Sequence, residues 1–120
     1  MKAMLLVALG GAVGSVARYA LARGVAARWP EATLPWATSA VNVVGCLALG
    51  VLVARVPEGR SELRVLLGTG VLGGFTTMST FGVETATLLR EQPRAAVLHV
   101  LVNVGLGIAA AVAGLLLGRR

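Results

Sequence analysis

Two carboxamides, a histidine and a run of hydroxyls stand where the chain is otherwise apolar. Thr38 and Asn42 lie one helical turn apart with Gly45 continuing the face, and His99, Asn103 and Gly107 repeat that spacing. Between them comes Gly73-Gly74-Phe75-Thr76-Thr77-Met78-Ser79-Thr80-Phe81, two adjacent glycines followed by four hydroxyl side chains. An amide or imidazole in hydrocarbon needs a partner, so such residues face a bundle interior or a water-filled cavity. The amides of Asn42 and Asn103 and the hydroxyls of Thr38, Thr76, Thr77, Ser79 and Thr80 are neutral donors, which suit an anion of small radius. Phe81 adds a ring whose edge is electropositive. A cation or proton path carries carboxylates, and the only one deep in an apolar stretch is Glu84, past the glycine run. Backbone carbonyls freed at the run can hold a cation, Gly73 and Gly74 permitting the necessary φ angles. Asn42 and Asn103 also read as plain helix-to-helix hydrogen bonds, on the order of 1 kcal/mol each. The run itself also reads as a packing kink, or as two half-helices capped by threonine.

The elements that must position these groups are membrane helices. The chain has 120 residues, 57% of them hydrophobic, and a helix needs about 20 mostly apolar residues to cross the hydrocarbon core. Four spans are predicted, near 4–22, 35–54, 65–89 and 95–117, forming one domain with no soluble part. The stretch Val104 to Leu117 does not alternate as a barrel strand would, so the fold class is an all-α membrane protein. The third span carries the glycine and hydroxyl run, and irregular backbone survives in lipid only when covered by protein or lining a hydrated path. That span is therefore expected to be broken mid-membrane. The first span reads as retained rather than cleaved, because Gly10, Gly11, Gly14 and Ser15 make a small-residue stripe suited to close packing. Gly10/Gly14 and Ala110/Gly114/Gly118 leave open whether they pack within or between subunits. Four short helices hardly enclose and also shield a path, so an oligomer is expected, most simply a twofold dimer.

The net charge of +6 does not mark a nucleic-acid surface, because the arginines punctuate the ends of the spans. Lys2, Arg55, Arg60, Arg64, Arg119 and Arg120 fall on one side of the bilayer, and Arg18, Arg23, Arg28, Arg90 and Arg94 on the other. Six against five is a weak bias for a rule that sets orientation by basic residues. Insertion both ways round stands beside a single orientation set by a few dominant charges. Arg18 reads either as a headgroup anchor or as an electropositive vestibule. The lone Cys46 reads as a small buried apolar residue, and no zinc-ligand or phosphate-loop spacing occurs. Nothing points to an enzyme.

Three stretches resemble one family. They are Gly10 through Tyr19, Thr38 through Gly45, and Gly73 through Phe81. In order and over nearly the full length they resemble the Fluc fluoride channels, also called CrcB proteins. The resemblance implies an antiparallel dual-topology homodimer in the cell membrane, with two fluoride pores along the subunit interface, exporting fluoride passively and lowering its toxicity. It implies a structural sodium ion at the dimer centre, held by the backbone carbonyls of Gly73 and Thr76 from both subunits. By motif position the pore asparagine falls on Asn42, the second pore phenylalanine on Phe81, the polar track on Ser79 and Thr80, and the vestibule arginine on Arg18. Two departures stand out. Met78 replaces the first phenylalanine and offers no ring edge. In the fourth span Asn103 stands for a serine, and His99 for a frequent tyrosine, which raises pH-sensitive conduction beside a neutral, packed histidine. The rival readings are a small multidrug-type proton-coupled exporter, which wants a carboxylate in the first span where residues 3–23 have none, and a non-transporting membrane scaffold, which leaves the hydroxyl run without a purpose.

Overall fold

A computed structural model describes residues 1–119; Arg120, counted above among the basic residues of one side, lies outside the described residues. Four helices are long and apolar enough to cross a membrane: Lys2–Arg28, Trp36–Arg55, Ser61–Glu91 and Pro93–Gly118. No strand occurs among the described residues. The first helix runs on to Arg28 rather than ending near residue 22, carrying the arginines of its last turns on continuous backbone. Only Gln92 separates the third helix from the fourth, which opens on Pro93, where the missing amide is no loss.

Glycine decides which helices touch. A Cβ on Gly10 would stand 2.9 Å from Gly70 Cα, and one on Gly74 would stand 3.0 Å from Gly11 Cα. The first and third helices thus meet backbone to backbone. The second and fourth meet likewise, Gly50 and Gly114 facing one another across 3.1 Å by the same measure, with Gly118 against Ala54 and Val51. Both small-residue stripes therefore pack inside the subunit. Away from these seams the bulk is turned outward: Leu5, Leu9, Val13, Val16, Leu101, Ile108 and Leu116 are all exposed. Water would not tolerate that surface, whereas lipid does.

What the fold encloses is polar. Among the described residues the buried apolar side chains are Val41, Phe81, Leu88 and Ala96, while Thr38, Ser39, Thr77, His99 and Asn103 are buried polar ones. The centre of the bundle is thus a hydrogen-bonded layer rather than an oily core.

Two local features shape that layer. Within the third helix Thr76 (φ −80°, ψ 158°) and Thr77 (φ −148°, ψ 112°) are extended, between the turn Gly73–Phe75 and the helical segment Met78–Glu91. In the fourth helix the backbone widens into π turns over Val102–Leu106. There Asn103 Nδ2 reaches back to the His99 carbonyl at 3.1 Å, and a side chain inserted into the ladder loosens it. At the exit of the second helix, Arg64 donates to the Val56 carbonyl at 2.7 and 2.9 Å and to the Val53 carbonyl at 3.2 Å. These are the carbonyls a helix end leaves open.

Candidate functional site

The extended pair in the third helix leaves backbone groups that must be paired. Asn42 supplies most of the answer. Its Oδ1 accepts the Thr77 amide at 2.9 Å and its Nδ2 donates to the Thr77 carbonyl at 3.2 Å. Thr77 also caps the segment behind it, its Oγ1 accepting the Thr80 amide at 3.2 Å and donating to Thr80 Oγ1 at 3.0 Å. The turn in front closes with the Thr76 amide on the Leu72 carbonyl at 3.0 Å. Ser15 Oγ donates to the Gly74 carbonyl at 3.5 Å and Arg18 Nη1 to the Thr76 carbonyl at 3.4 Å. Thr77 N–H would bond the Gly73 carbonyl in an unbroken helix. Asn42 has drawn it away.

From Asn42 a relay of side chains crosses to the fourth helix. Asn42 Nδ2 donates to Asn103 Oδ1 at 3.1 Å, and Asn103 Nδ2 lies 2.8 Å from Ser39 Oγ and 3.2 Å from His99 Nδ1. The Thr77 backbone N–H can only donate, so it fixes which way the Asn42 amide points. That in turn fixes Asn103, and Asn103 presents donors to His99 Nδ1. Neutral His99 therefore carries its proton on Nε2, which faces Glu84 Oε2 at 3.5 Å. The other carboxylate oxygen, Oε1, accepts Thr38 Oγ1 at 2.8 Å. The Phe81 ring sits 5.2 Å from the His99 ring, tilted by 46°.

The residues singled out from sequence divide between this layer and the surface beside it. Thr38, Phe81 and Asn103 are buried and Asn42 half-buried; Met78 is 75% exposed, and Ser79 and Thr80 are exposed. An open groove of about 350 Å³ brings Asn42, Gly73, Thr76, Met78, Phe81 and Asn103 together. Both amide hydrogens of Asn42 already have acceptors. Thr80, by contrast, accepts through its Oγ1, which leaves its own hydroxyl hydrogen to give. Sequence alone missed the bidentate hold of Asn42 on Thr77, the part of Ser39, and the His99–Glu84 contact. A signal for the last was present: residues 81 and 84, like 99 and 103, are one turn apart and polar or aromatic.

A cation site at the extended Thr76–Thr77 pair would draw on neutral carbonyl oxygens, the ligands that hard cations prefer. The Gly73 carbonyl fits, having lost its helical donor on an exposed turn. The Thr76 carbonyl fits in part, because the Arg18 guanidinium already leans on it. Among the described residues there is no cluster of three or more acidic, cysteine or histidine ligands.

Four apolar helices about a buried polar layer define a multi-pass membrane protein. The chain belongs to the CrcB-like family: the family model described as "CrcB-like protein, Camphor Resistance (CrcB)" matches residues 5–115. It is 47% identical over 115 residues to a protein of Rhizobium johnstonii named fluoride-specific ion channel FluC, covering 92% of this chain and 91% of that one. Proteins of the same name from Erythrobacter litoralis and Hyphomonas neptunium are 44% and 47% identical, over 98% and 100% of this chain and 92% and 98% of theirs.

Proposed function

We propose that this chain is a fluoride-selective ion channel, not an enzyme, and that it lets cytoplasmic fluoride leave the cell passively. The observation that carries the reading is the groove lined by the extended Thr76–Thr77 pair, Met78 and Phe81, with the exposed hydroxyl residues Ser79 and Thr80 on the adjoining helical turn of the same membrane span. Hydroxyls and a ring edge at Phe81 can replace part of a small anion's hydration without holding it too tightly to leave. The relatives named as fluoride-specific channels point to the same anion.

A groove open on the surface of one chain is half a conduit. The exposed Ser79 and Thr80 beside it are ill suited to lipid, so a second copy covers this face. The near balance of basic residues across the membrane favours the antiparallel arrangement, with both orientations inserted. In that homodimer Ser79, Thr80, Phe81, Met78, Thr38, Asn42 and Asn103 border the pore and Arg18 its vestibule. A sodium ion on the Gly73 and Thr76 carbonyls of both copies would neutralise oxygens that the broken helix leaves without amides. Asn42 then acts chiefly by holding Thr77 in place.

The test is fluoride efflux from loaded liposomes, read with a fluoride electrode. Purified protein is expected to release fluoride and not chloride. Chloride release of equal size, or none for fluoride, overturns the reading.

A further inference from the structure

One pair of groups, the buried His99 and the half-buried Glu84, has no part in that account. Glu84 Oε2 and His99 Nε2 are the buried side-chain polar atoms that find no hydrogen-bond partner among the described residues, and they face one another across 3.5 Å. His99 is 1% exposed. Unpaired polar atoms in such surroundings are expensive unless the site has a further occupant or a second charge state.

We propose that Glu84 and His99 together form a proton-binding site whose occupancy sets the charge behind Phe81 and so gates anion passage. The proposal rests on the channel reading and adds a regulator to it. With the Nε2-protonated, neutral imidazole that the amide relay dictates, and an ionised Glu84, the pair carries one negative charge. Uptake of one proton from water makes it neutral, whether the proton is counted on the imidazole or on the carboxylate, since so close a pair titrates as a unit. The Phe81 ring lies 5.2 Å from the imidazole on one side and borders the groove on the other. A negative charge on Glu84, one ring removed from Phe81, opposes an anion beside that ring, the more so where water is excluded. Removing it opens the path.

Few other charges could do this. On the second helix the groups facing the pair are the neutral Thr38, Ser39 and Asn42, and on the fourth helix Asn103. On the third helix the further charged residues are Glu62 and Arg64 at one end and Arg90 and Glu91 at the other; Arg94 opens the fourth helix and Arg55 ends the second. From the first helix Arg18 reaches the Thr76 carbonyl.

His99 is the one histidine in the chain, so wild-type protein labelled at histidine gives a single imidazole signal. In liposomes the fluoride efflux of the wild type is expected to rise by about fivefold or more between about pH 8 and about pH 5.5, above the leak of protein-free vesicles. His99→Gln flattens the profile, and Glu84→Gln flattens it near the acid level. Because anion binding and proton uptake are reciprocal, fluoride moves the midpoint of the wild-type imidazole titration to higher pH, and chloride does not. That measurement needs no variant to fold. A flat wild-type efflux profile, or a midpoint indifferent to fluoride, overturns the proposal while leaving a fluoride channel standing. No fluoride efflux at any pH overturns both.

Discussion

The Asn42 carboxamide closes on the Thr77 peptide from both directions, accepting its amide at 2.9 Å and donating to its carbonyl at 3.2 Å. One side chain thereby does for an extended residue what a neighbouring strand would do. It explains why two residues can leave the helix within an apolar span without stranding their polar groups.

Replacing that side chain separates structure from conduction. Asn42→Ala leaves the Thr77 amide and carbonyl and Asn103 Oδ1 without their partner, each loss being about 1–3 kcal/mol when buried. Thermal unfolding in detergent is expected to show a loss of about 2–5 kcal/mol. Asn42→Asp still accepts the amide but turns a second oxygen on the Thr77 carbonyl and Asn103 Oδ1, so it also loses stability, and its efflux is read per unit of folded protein; in addition it sets a negative charge in the groove. Fluoride efflux should then fall by about a hundredfold. Unchanged efflux in this variant would remove Asn42 from the ion path.

The glycine seams predict a sharp contrast between positions. A side chain on Gly114 would run into the Leu47 carbonyl and the Val51 amide, which are backbone atoms of the second helix and cannot step aside. Gly114→Val should therefore destabilise the fold by about 3 kcal/mol or more, the upper range of overpacking. Gly105 meets nothing within 4 Å, and Gly105→Ala should stabilise slightly, by up to about 1 kcal/mol. Matched unfolding midpoints for the two variants would contradict the seam.

Much of this was legible beforehand because lipid makes polarity conspicuous. Asn42, Asn103 and the hydroxyl run stood out as groups needing partners, and all of them lie in or beside one layer. The glycine stripes announced close contacts, but spacing alone carries no sign of whether a stripe faces its own chain or a copy. Nor could spacing show that Asn42 would use both its amide hydrogens within the chain, since its partner is a backbone peptide 35 residues away. Glu84 is conspicuous as the only carboxylate deep in an apolar stretch, and such a group needs a donor; Thr38 is that donor. The His99 contact escaped notice because it needs the register between the third and fourth helices, which only the turn at Gln92 sets.

Sodium should matter to stability more than to rate. Asn42 takes the Thr77 amide that would otherwise reach the Gly73 carbonyl, which leaves that oxygen without its helical donor. Exchanging sodium for a large organic cation is expected to lower the unfolding midpoint, by the equivalent of about 2.7 kcal/mol if sodium had been at a hundredfold excess over its dissociation constant. Arg18→Gln, which takes a competing cation off the Thr76 carbonyl, should strengthen the sodium dependence. Equal midpoints in sodium and in the organic cation would rule out a carbonyl-held ion at this position.

Insertion in both directions has its own readout in the turn between the second and third helices. Gly59 is exposed there, and a Cβ on it meets nothing within 4 Å, so Gly59→Cys can be introduced without disturbing the fold. Cys46 is half-buried and unpaired, and Cys46→Ser removes the competing thiol. Basic residues are nearly balanced between the two sides, and orientation follows that balance only when it is marked. In sealed membrane vesicles a reagent that cannot cross lipid should therefore label roughly half of the Gly59→Cys protein, and the remainder only after the membrane is opened. An antiparallel pair requires both populations. Complete labelling, or none before opening, would mean that every copy points the same way, and the groove would then have to be covered by a parallel neighbour.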